Sequence, residues 1–265
     1  MTEHAGYLAR IARGWDEAVD GYEAYYVPRF APWVAAAVKA LPQALPEGPV
    51  LVPCCGTFPE LDVLTEHLPG REIIGIDLSA GMAARARRRA AGNPLVHVIE
   101  GDASTLDPSL SAAAVVSVFG LQQLPEPDAT ILSWAGTLRP DGLLSVVYWP
   151  ASTEPGGAFT VLSDVLRAHV SAGDRSWETR LVPTLEAQGA TVERDEEPSF
   201  PMVHPDADTF FTAHTRTGPL RPLADSRGEA FIERLREEFL RRAPAREWRH
   251  RPPARHIVAR RTSRA

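Results

Sequence analysis

The chain has 265 residues, enough for one large α/β domain or a core with accessory helices, and long enough to bury a sizeable core. Its hydrophobic fraction of 44% and charged fraction of 23% are those of a globular protein, and a formal net charge of −6 gives no general electrostatic pull toward nucleic acid. No stretch reaches the roughly 18 apolar residues of a membrane span, the first twenty residues hold no apolar signal-peptide core, and the only cysteines, Cys54 and Cys55, are adjacent and too few for a structural zinc site. A cytoplasmic chain with no metal, no membrane contact and no nucleic-acid partner is therefore expected. The arginines between Arg234 and Arg264 are interspersed with Glu233, Glu237 and Glu238 and read as a solvated helix face and a final strand.

Residues Ala5 to Leu41 read as helical. Trp15, Val19, Tyr22, Tyr26, Phe30 and Trp33 recur every three or four positions as an apolar stripe, and Pro28 and Pro32 predict two helices with a bend between them. After a Pro-rich linker the pattern changes. Val50–Val52 is a short apolar run ending in a turn, Pro53 to Phe58, followed by a helix over Glu60–Leu68 and a strand over Glu72–Asp77. Ser79 is placed to cap a basic helix running to Ala91. Strands are expected at Leu95–Glu100, Ala112–Phe119 and Leu143–Trp149, with a helix over Ala129–Leu138 stopped by Arg139-Pro140-Asp141-Gly142. Near-continuous apolar strands alternating with helices predict a parallel sheet covered on both faces. Beyond Gly157 come helices at Phe159–Val170 and Thr179–Gln188, a strand at Ala190–Glu193, and a Pro- and Thr-rich insertion or lid over His204–Leu223. An amphipathic helix at Gly228–Arg242 and a closing strand at Ala254–Arg260 complete the chain.

In an open parallel sheet, ligands bind at the carboxyl ends of strands. Three such ends stand out. The small-residue turn Pro53-Cys54-Cys55-Gly56-Thr57-Phe58 lets a ligand approach the backbone. Asp77 closes the second strand about 20 residues later, where a carboxylate can accept both hydroxyls of a ribose. Asp102, in Gly101-Asp102-Ala103, can accept from an adenine amino group. Each also has a plainer reading, as a βα turn, a helix N-terminal acid and a turn aspartate.

Together these segments resemble the class I S-adenosylmethionine-dependent methyltransferases. Val50 to Thr57 looks like the family's first motif, Gly75 to Met82 like its acidic second-strand motif, and Glu100 to Ala103 like the third. Ser117 to Leu124 resembles the loop after strand four, and Leu138 to Gly142 resembles the Arg-Pro-Gly-Gly turn before strand five. The resemblance implies a Rossmann-like α/β fold with a mostly parallel seven-stranded sheet, an N-terminal helical lid over residues 1–45, a nucleotide-binding core over 46–150, and a C-terminal part over 151–265 with an inserted lid, all in a single domain. It implies S-adenosylmethionine as cofactor, with Cys54, Cys55, Gly56, Thr57, Asp77, Leu78, Met82, Asp102, Ala103, Phe119 and Gln122 binding it. The sequence departs from the family at Val52, which replaces an acid, and at Cys54 and Phe58, which replace glycines. A Cβ at Cys54 disfavours positive φ, and a benzyl group at Phe58 is large enough to occupy space used by the methionine part of the cofactor. Gln122 and Gln123 stand where many members carry a histidine.

Methyl transfer from a sulfonium is an in-line displacement that asks mainly for alignment and desolvation, and a base only when the nucleophile must lose a proton. Gln123, His204 and His214 are the candidate catalytic residues, and Tyr22, Tyr26, Gln123 and Trp149 the candidate substrate-binding ones; Tyr25 and Trp33 belong to the same N-terminal aromatic set. Cys54 and Cys55 have no recognisable base partner and read as small buried residues. The resemblance points to a methyltransferase acting on a small molecule of secondary metabolism, such as an antibiotic precursor. Two alternatives stay open: a non-methylating reaction such as a cyclisation on the same fold, and a non-catalytic partner subunit. A homodimer or a partner protein stays open as well.

Overall fold

The protein is described by a computed structural model covering residues 3–171 and 173–262. The chain opens with α1 (Glu3–Asp16), a short helical turn α2 (Val19–Gly21), a π-helical turn over Tyr22–Tyr26 and α3 (Val27–Lys39). The expected bend at the prolines is not where the helix changes. Pro32 lies inside α3, and the irregularity is the π turn, in which Val27 N–H donates to Tyr22 O. Pro28 has no N–H to give and its ring crowds the carbonyl four residues back, so widening the preceding turn relieves both problems.

There follow β1 (Val50–Pro53), α4 (Leu61–His67), β2 (Ile73–Asp77), α5 (Ala80–Arg89), β3 (Val96–Glu100), β4 (Ala112–Val118), α6 (Pro127–Thr137) and β5 (Leu138–Tyr148). Ser79 caps α5 as expected, its hydroxyl accepting from Met82 N at 3.0 Å. Then come α7 (Ala158–Arg167), α8 (Trp177–Ala187), β6 (Ala190–Glu196), β7 (Met202–His204), α9 (Ala207–Arg216), α10 (Arg221–Arg227), α11 (Glu229–Arg242), β8 (Trp248–His250) and β9 (Arg255–Arg261). The Pro- and Thr-rich stretch read as an irregular insertion is thus mostly helical. Asp206 accepts from Thr209 N at 2.7 Å and caps α9, Phe210, Phe211 and His214 give that helix a buried stripe, and Pro222 sits in the first turn of α10, where its missing N–H costs nothing.

The described residues divide into two compact units. The sheet unit holds Ala31–Trp149, Arg175–Pro198 and Ala254–Ala265. Its seven strands run in the order β3-β2-β1-β4-β5-β9-β6, parallel from β3 to β5 and antiparallel at β9. On one face Leu51, Ile74, Ile76, Val115, Leu144 and Val146 form a core with Ile131 and Trp134 of α6 and Leu181 and Leu185 of α8. The neighbouring β5 residue, Ser145, faces the other way, and its hydroxyl donates to Ala37 O of α3 at 2.9 Å. The strand order turns at β1 and β4, so their carboxyl ends flank the crevice where such sheets bind ligands.

The helical unit holds Met1–Phe30, Pro150–Asp174 and Ser199–Pro253. Its core joins Leu162 and Val165 of α7, Phe210 and Phe211 of α9, Leu235 and Phe239 of α11 and Trp248 of β8, with β7 and β8 paired as an antiparallel ribbon. Among the described residues no helix is long and apolar enough to cross a membrane.

The turn after β1 is where the sequence most defies expectation. Cys54, Gly56 and Phe58 all have left-handed backbones, with φ of 57°, 54° and 67°, although two of the three carry side chains. Each such residue costs roughly 1–2 kcal/mol. Phe58 recovers this by burial: its ring is 0% exposed and lies over Gly75 of β2, where an added Cβ would stand 2.7 Å from the ring. Burying a Phe side chain contributes about 1.5–3 kcal/mol, enough to offset its own strain. The left-handed backbone thus turns the Phe58 ring into the core. Cys54 has a partner too. A Cβ on Gly120 would fall 2.5 Å from the Cys54 Cβ, so Cys54 occupies room that Gly120 leaves across the crevice. Gly120→Ala is expected to destabilise the protein by about 1–3 kcal/mol in urea unfolding, and Cys54→Gly in the same chain to restore most of the loss; an additive double mutant would show that the two positions are independent.

Candidate functional site

The glycine turn is held from β2. Asp77, at the end of that strand, accepts from Gly56 N at 2.8 Å through Oδ2 and from Ser79 N at 3.0 Å through Oδ1. One carboxylate thus ties the turn after β1 to the N-terminus of α5, and a carboxylate oxygen can accept more than one hydrogen bond at a time. Leu78 is half-buried beside it, and Met82 is buried one helical turn on. At the end of β3, Asp102 accepts from Ser104 N at 2.8 Å through Oδ1, and the Ala103 carbonyl takes the indole N–H of Trp134 at 2.7 Å. The plainer reading of Asp102 as a turn residue is correct for Oδ1 and leaves Oδ2 for other work.

At the end of β4, Phe119 has a φ of 61°, and its ring stacks on Trp149 at 4.1 Å with an interplanar angle of 6°. Trp33 meets both rings edge-on, at 5.8 and 5.2 Å, and its N–H donates to Pro198 O at 3.2 Å. Gln122 Nε2 donates to Phe119 O at 2.8 Å; Gln123 is partly buried in the same turn.

Burial pushes the thiols of Cys54 and Cys55 well above the ordinary range, and the carboxylates of Asp77 and Glu60 push the same way. Both stay protonated at neutral pH, so neither is a ready nucleophile. Among the described residues, three side-chain atoms around these turns are buried without a partner: Thr57 Oγ1, Glu60 Oε2 and Gln122 Oε1. Buried polar atoms are nearly always satisfied, so orphans gathered at strand ends fit a polar ligand. With the left-handed turn kept at all three positions, the residues present fit a nucleoside with a charged tail. Glu60 is not among the residues singled out in the sequence; its acidity carries no pattern signal, because its neighbours Pro59 and Leu61 read simply as a helix start.

The candidate cofactor residues, with Gln123 and Trp149, all lie in the sheet unit, while Tyr22, Tyr26, His204 and His214 lie in the helical unit. There Tyr26 is buried with its hydroxyl unpartnered, its ring 5.8 Å from Tyr22 and 5.5 Å from His214. Burial holds the His214 imidazole down at about 4, and its Nδ1 pairs with Phe210 O at 2.8 Å. Burial, and then the nearby His250 and His214, push His204 further below its ordinary value.

His204 belongs to a chain that the sequence did not reveal. Its Nδ1 lies 2.7 Å from the Tyr25 hydroxyl, its Nε2 lies 2.8 Å from His250 Nε2, and His250 Nδ1 meets Glu154 Oε1. A carboxylate only accepts, so His250 Nδ1 donates to Glu154, and the other directions follow for a neutral His250 ring. His204 donates to His250, and Tyr25 donates to His204. Burial favours the neutral form of His204 and keeps the proton of Tyr25 on its hydroxyl, as this arrangement requires. Nitrogen NMR of the ring atoms is expected to find His204 neutral at about pH 5.5, well above the range to which burial confines it. In Tyr25→Phe, which removes the donor to His204 Nδ1, the ring-nitrogen signals of His204 are expected to shift and those of His250 with them; an unchanged His250 would mean that the chain is not coupled.

A family model described as a methyltransferase domain matches residues 50–142. The demethylmenaquinone methyltransferase of Thermus thermophilus is 33% identical over 125 residues, which are 46% of this chain and 56% of that protein, so the match spans little more than half of the relative. Among solved structures, the geranyl diphosphate C-methyltransferase of Streptomyces coelicolor, crystallised with S-adenosyl-L-homocysteine, is 14% identical with a TM-score of 0.52, over 88% of this chain and 76% of that one. The [4+2]-cyclase SpnF is 20% identical with a TM-score of 0.54, over 89% and 82%. These two likenesses are of fold. The family match is that of residues 50–142, the stretch that carries the acid at the end of β2 and the left-handed turn after β1.

Proposed function

We propose that this chain transfers the sulfonium methyl of S-adenosylmethionine to an oxygen, nitrogen or carbon of a small molecule, one of secondary metabolism. The observation that carries the reading is the β1 turn, which keeps left-handed geometry at positions 54, 56 and 58 despite two side chains and is tied to Asp77 through Gly56 N–H. A fold turned entirely to another use has no reason to retain strained residues at those alternate positions.

In this reading Asp77 accepts the ribose hydroxyls, Asp102 Oδ2 and the Ala103 amide take the adenine edge, and Leu78 and Met82 cover the base. The backbone of Cys54, Cys55, Gly56 and Thr57 faces the amino-acid tail, with Phe119 and Gln122 lining the floor. The bound cofactor supplies an electrophilic methyl group. The protein aligns the acceptor and excludes water, which are the main demands of an in-line displacement. Gln123 and Trp149 are the acceptor contacts proposed in the sheet unit, and Tyr22 and Tyr26 those proposed in the helical unit. His204 and His214 are the general-base candidates proposed in the helical unit: both nitrogens of His204 are engaged in the Tyr25–His204–His250–Glu154 chain, while His214 pairs through Nδ1 with a backbone carbonyl.

Calorimetric titration with S-adenosylmethionine and S-adenosylhomocysteine tests this. Micromolar binding of both is expected, and Asp102→Asn, which keeps the turn but offers a donor where an acceptor is needed, is expected to weaken both about tenfold or more. No binding at millimolar ligand would overturn the reading. Product mass separates methylation from cyclisation, since methyl transfer adds a CH₂ and a rearrangement adds nothing.

A further inference from the structure

Glu60 is the acid that the proposed site has not yet used. It sits at the N-terminus of α4, two residues past the left-handed Phe58, and is only 2% exposed. Its Oε2 is buried without a partner, and so is Thr57 Oγ1 three residues earlier on the same turn. A solvent-excluded carboxyl with an unused oxygen is costly unless a partner arrives. In chains of this type an acid normally stands at the position of Val52, at the end of β1. Here that position is apolar and fully buried, so the strand brings no negative charge to the turn.

We infer that the Glu60 carboxylate is the counter-ion of the α-ammonium group on the cofactor's amino-acid tail, and that it has taken over the charge Val52 cannot supply. The inference rests on the proposed cofactor site and adds to it a residue and a subsite. The ammonium is a compact donor with three N–H groups, and the turn offers it an unpartnered carboxylate oxygen and an unpartnered hydroxyl. The titratable groups around Glu60 are Cys54, Cys55, Asp77 and Arg89. The thiols are neutral, and Asp77 opposes ionisation while Arg89 favours it. Burial outweighs them all and pushes the Glu60 carboxyl up to about 8. Before binding, Glu60 therefore carries a proton at pH 7, and the arriving cation favours its release.

The folded chain keeps a proton on Glu60 between the ordinary value of 4.5 and about 8, while the unfolded chain has lost it. Stability therefore falls as pH rises across that window, and Glu60→Gln removes this fall. The same substitution removes the charge that holds the ammonium. A residue with only a structural role does not lose ligand affinity while relieving a stability penalty.

Calorimetry with S-adenosylhomocysteine and with 5′-methylthioadenosine, which has the same nucleoside and sulfur but no amino-acid tail, separates the possibilities. For the wild-type protein at pH 7, titrations in buffers of different ionisation enthalpy are expected to show release approaching about one proton per S-adenosylhomocysteine bound and none with methylthioadenosine. Glu60→Gln is expected to bind S-adenosylhomocysteine roughly ten- to a hundredfold more weakly, to release no proton, and to bind methylthioadenosine within about twofold of wild type. Its thermal melting point should depend less on pH between about 5 and 8. Unchanged affinity for S-adenosylhomocysteine in the variant, or binding of that ligand without proton release, would overturn the inference while leaving the cofactor reading intact. Failure of the wild-type protein to bind either nucleoside would overturn both.

Discussion

The hydrogen bond from Gly56 N–H to Asp77 Oδ2, 2.8 Å long, joins two strand ends that are paired neighbours in the sheet. It fixes where the turn after β1 can go. With the Gly56 amide committed to β2, the residues on either side must reverse direction within a few bonds, and the left-handed backbones at Cys54, Gly56 and Phe58 are how they do so. The same carboxylate also holds Ser79 N, which starts the capped turn of α5. The geometry of two loops and one helix start therefore follows from a single charged side chain. That side chain is aligned by a parallel register in which Val50, Leu51, Val52 and Pro53 face Ile73, Ile74, Gly75 and Ile76 in turn, so Asp77 comes next to the first residue of the turn.

The departures from the glycine pattern are coherent because each has a compensating position. Phe58 needs a small neighbour on β2 and finds Gly75; Cys54 needs one across the crevice and finds Gly120. For Phe58, strain of roughly 1–2 kcal/mol is comparable to what burial of its ring returns. Cys54 and Phe58 both keep the left-handed φ that glycines adopt readily. What changes is the chemistry. The turn gains two high-pKa thiols and loses the charge at the end of β1, so any positive group on the ligand must find its partner elsewhere. The orphan oxygens of Thr57 and Glu60 lie just beyond Gly56 on the same turn.

Much of this architecture is legible in the sequence, and the reason is physical. Strands buried on both faces must be apolar along their length, so Val50–Val52, Ile73–Ile76 and Ala112–Val118 declare themselves. Ser79 declares a cap because its hydroxyl must be followed three residues later by an amide in need of an acceptor. The acids at the ends of β2 and β3 are visible because strand context and spacing agree. The α9 segment is obscure because Thr and Pro lower local helix propensity, while the Phe210–Phe211–His214 stripe that stabilises it depends on tertiary burial. The orientation of Phe58 is hidden because a side chain's direction follows from φ, and residue type alone argues against the φ that the turn imposes.

What escapes the sequence is a relation: His204 and Tyr25 stand out singly, but their link to each other, to His250 and to Glu154 does not. Tyr25, Glu154, His204 and His250 are far apart in the chain, and none sits in a motif, yet the β7–β8 ribbon and the π turn bring them into one file of hydrogen bonds. The π turn matters here. Tyr25 and Tyr26 both lie in that turn, the hydroxyl of Tyr25 reaching His204 and Tyr26 buried. At the far end of the file a carboxylate, which can only accept, makes His250 Nδ1 the donor. The members of the file lie on different elements, and only the structure connects them.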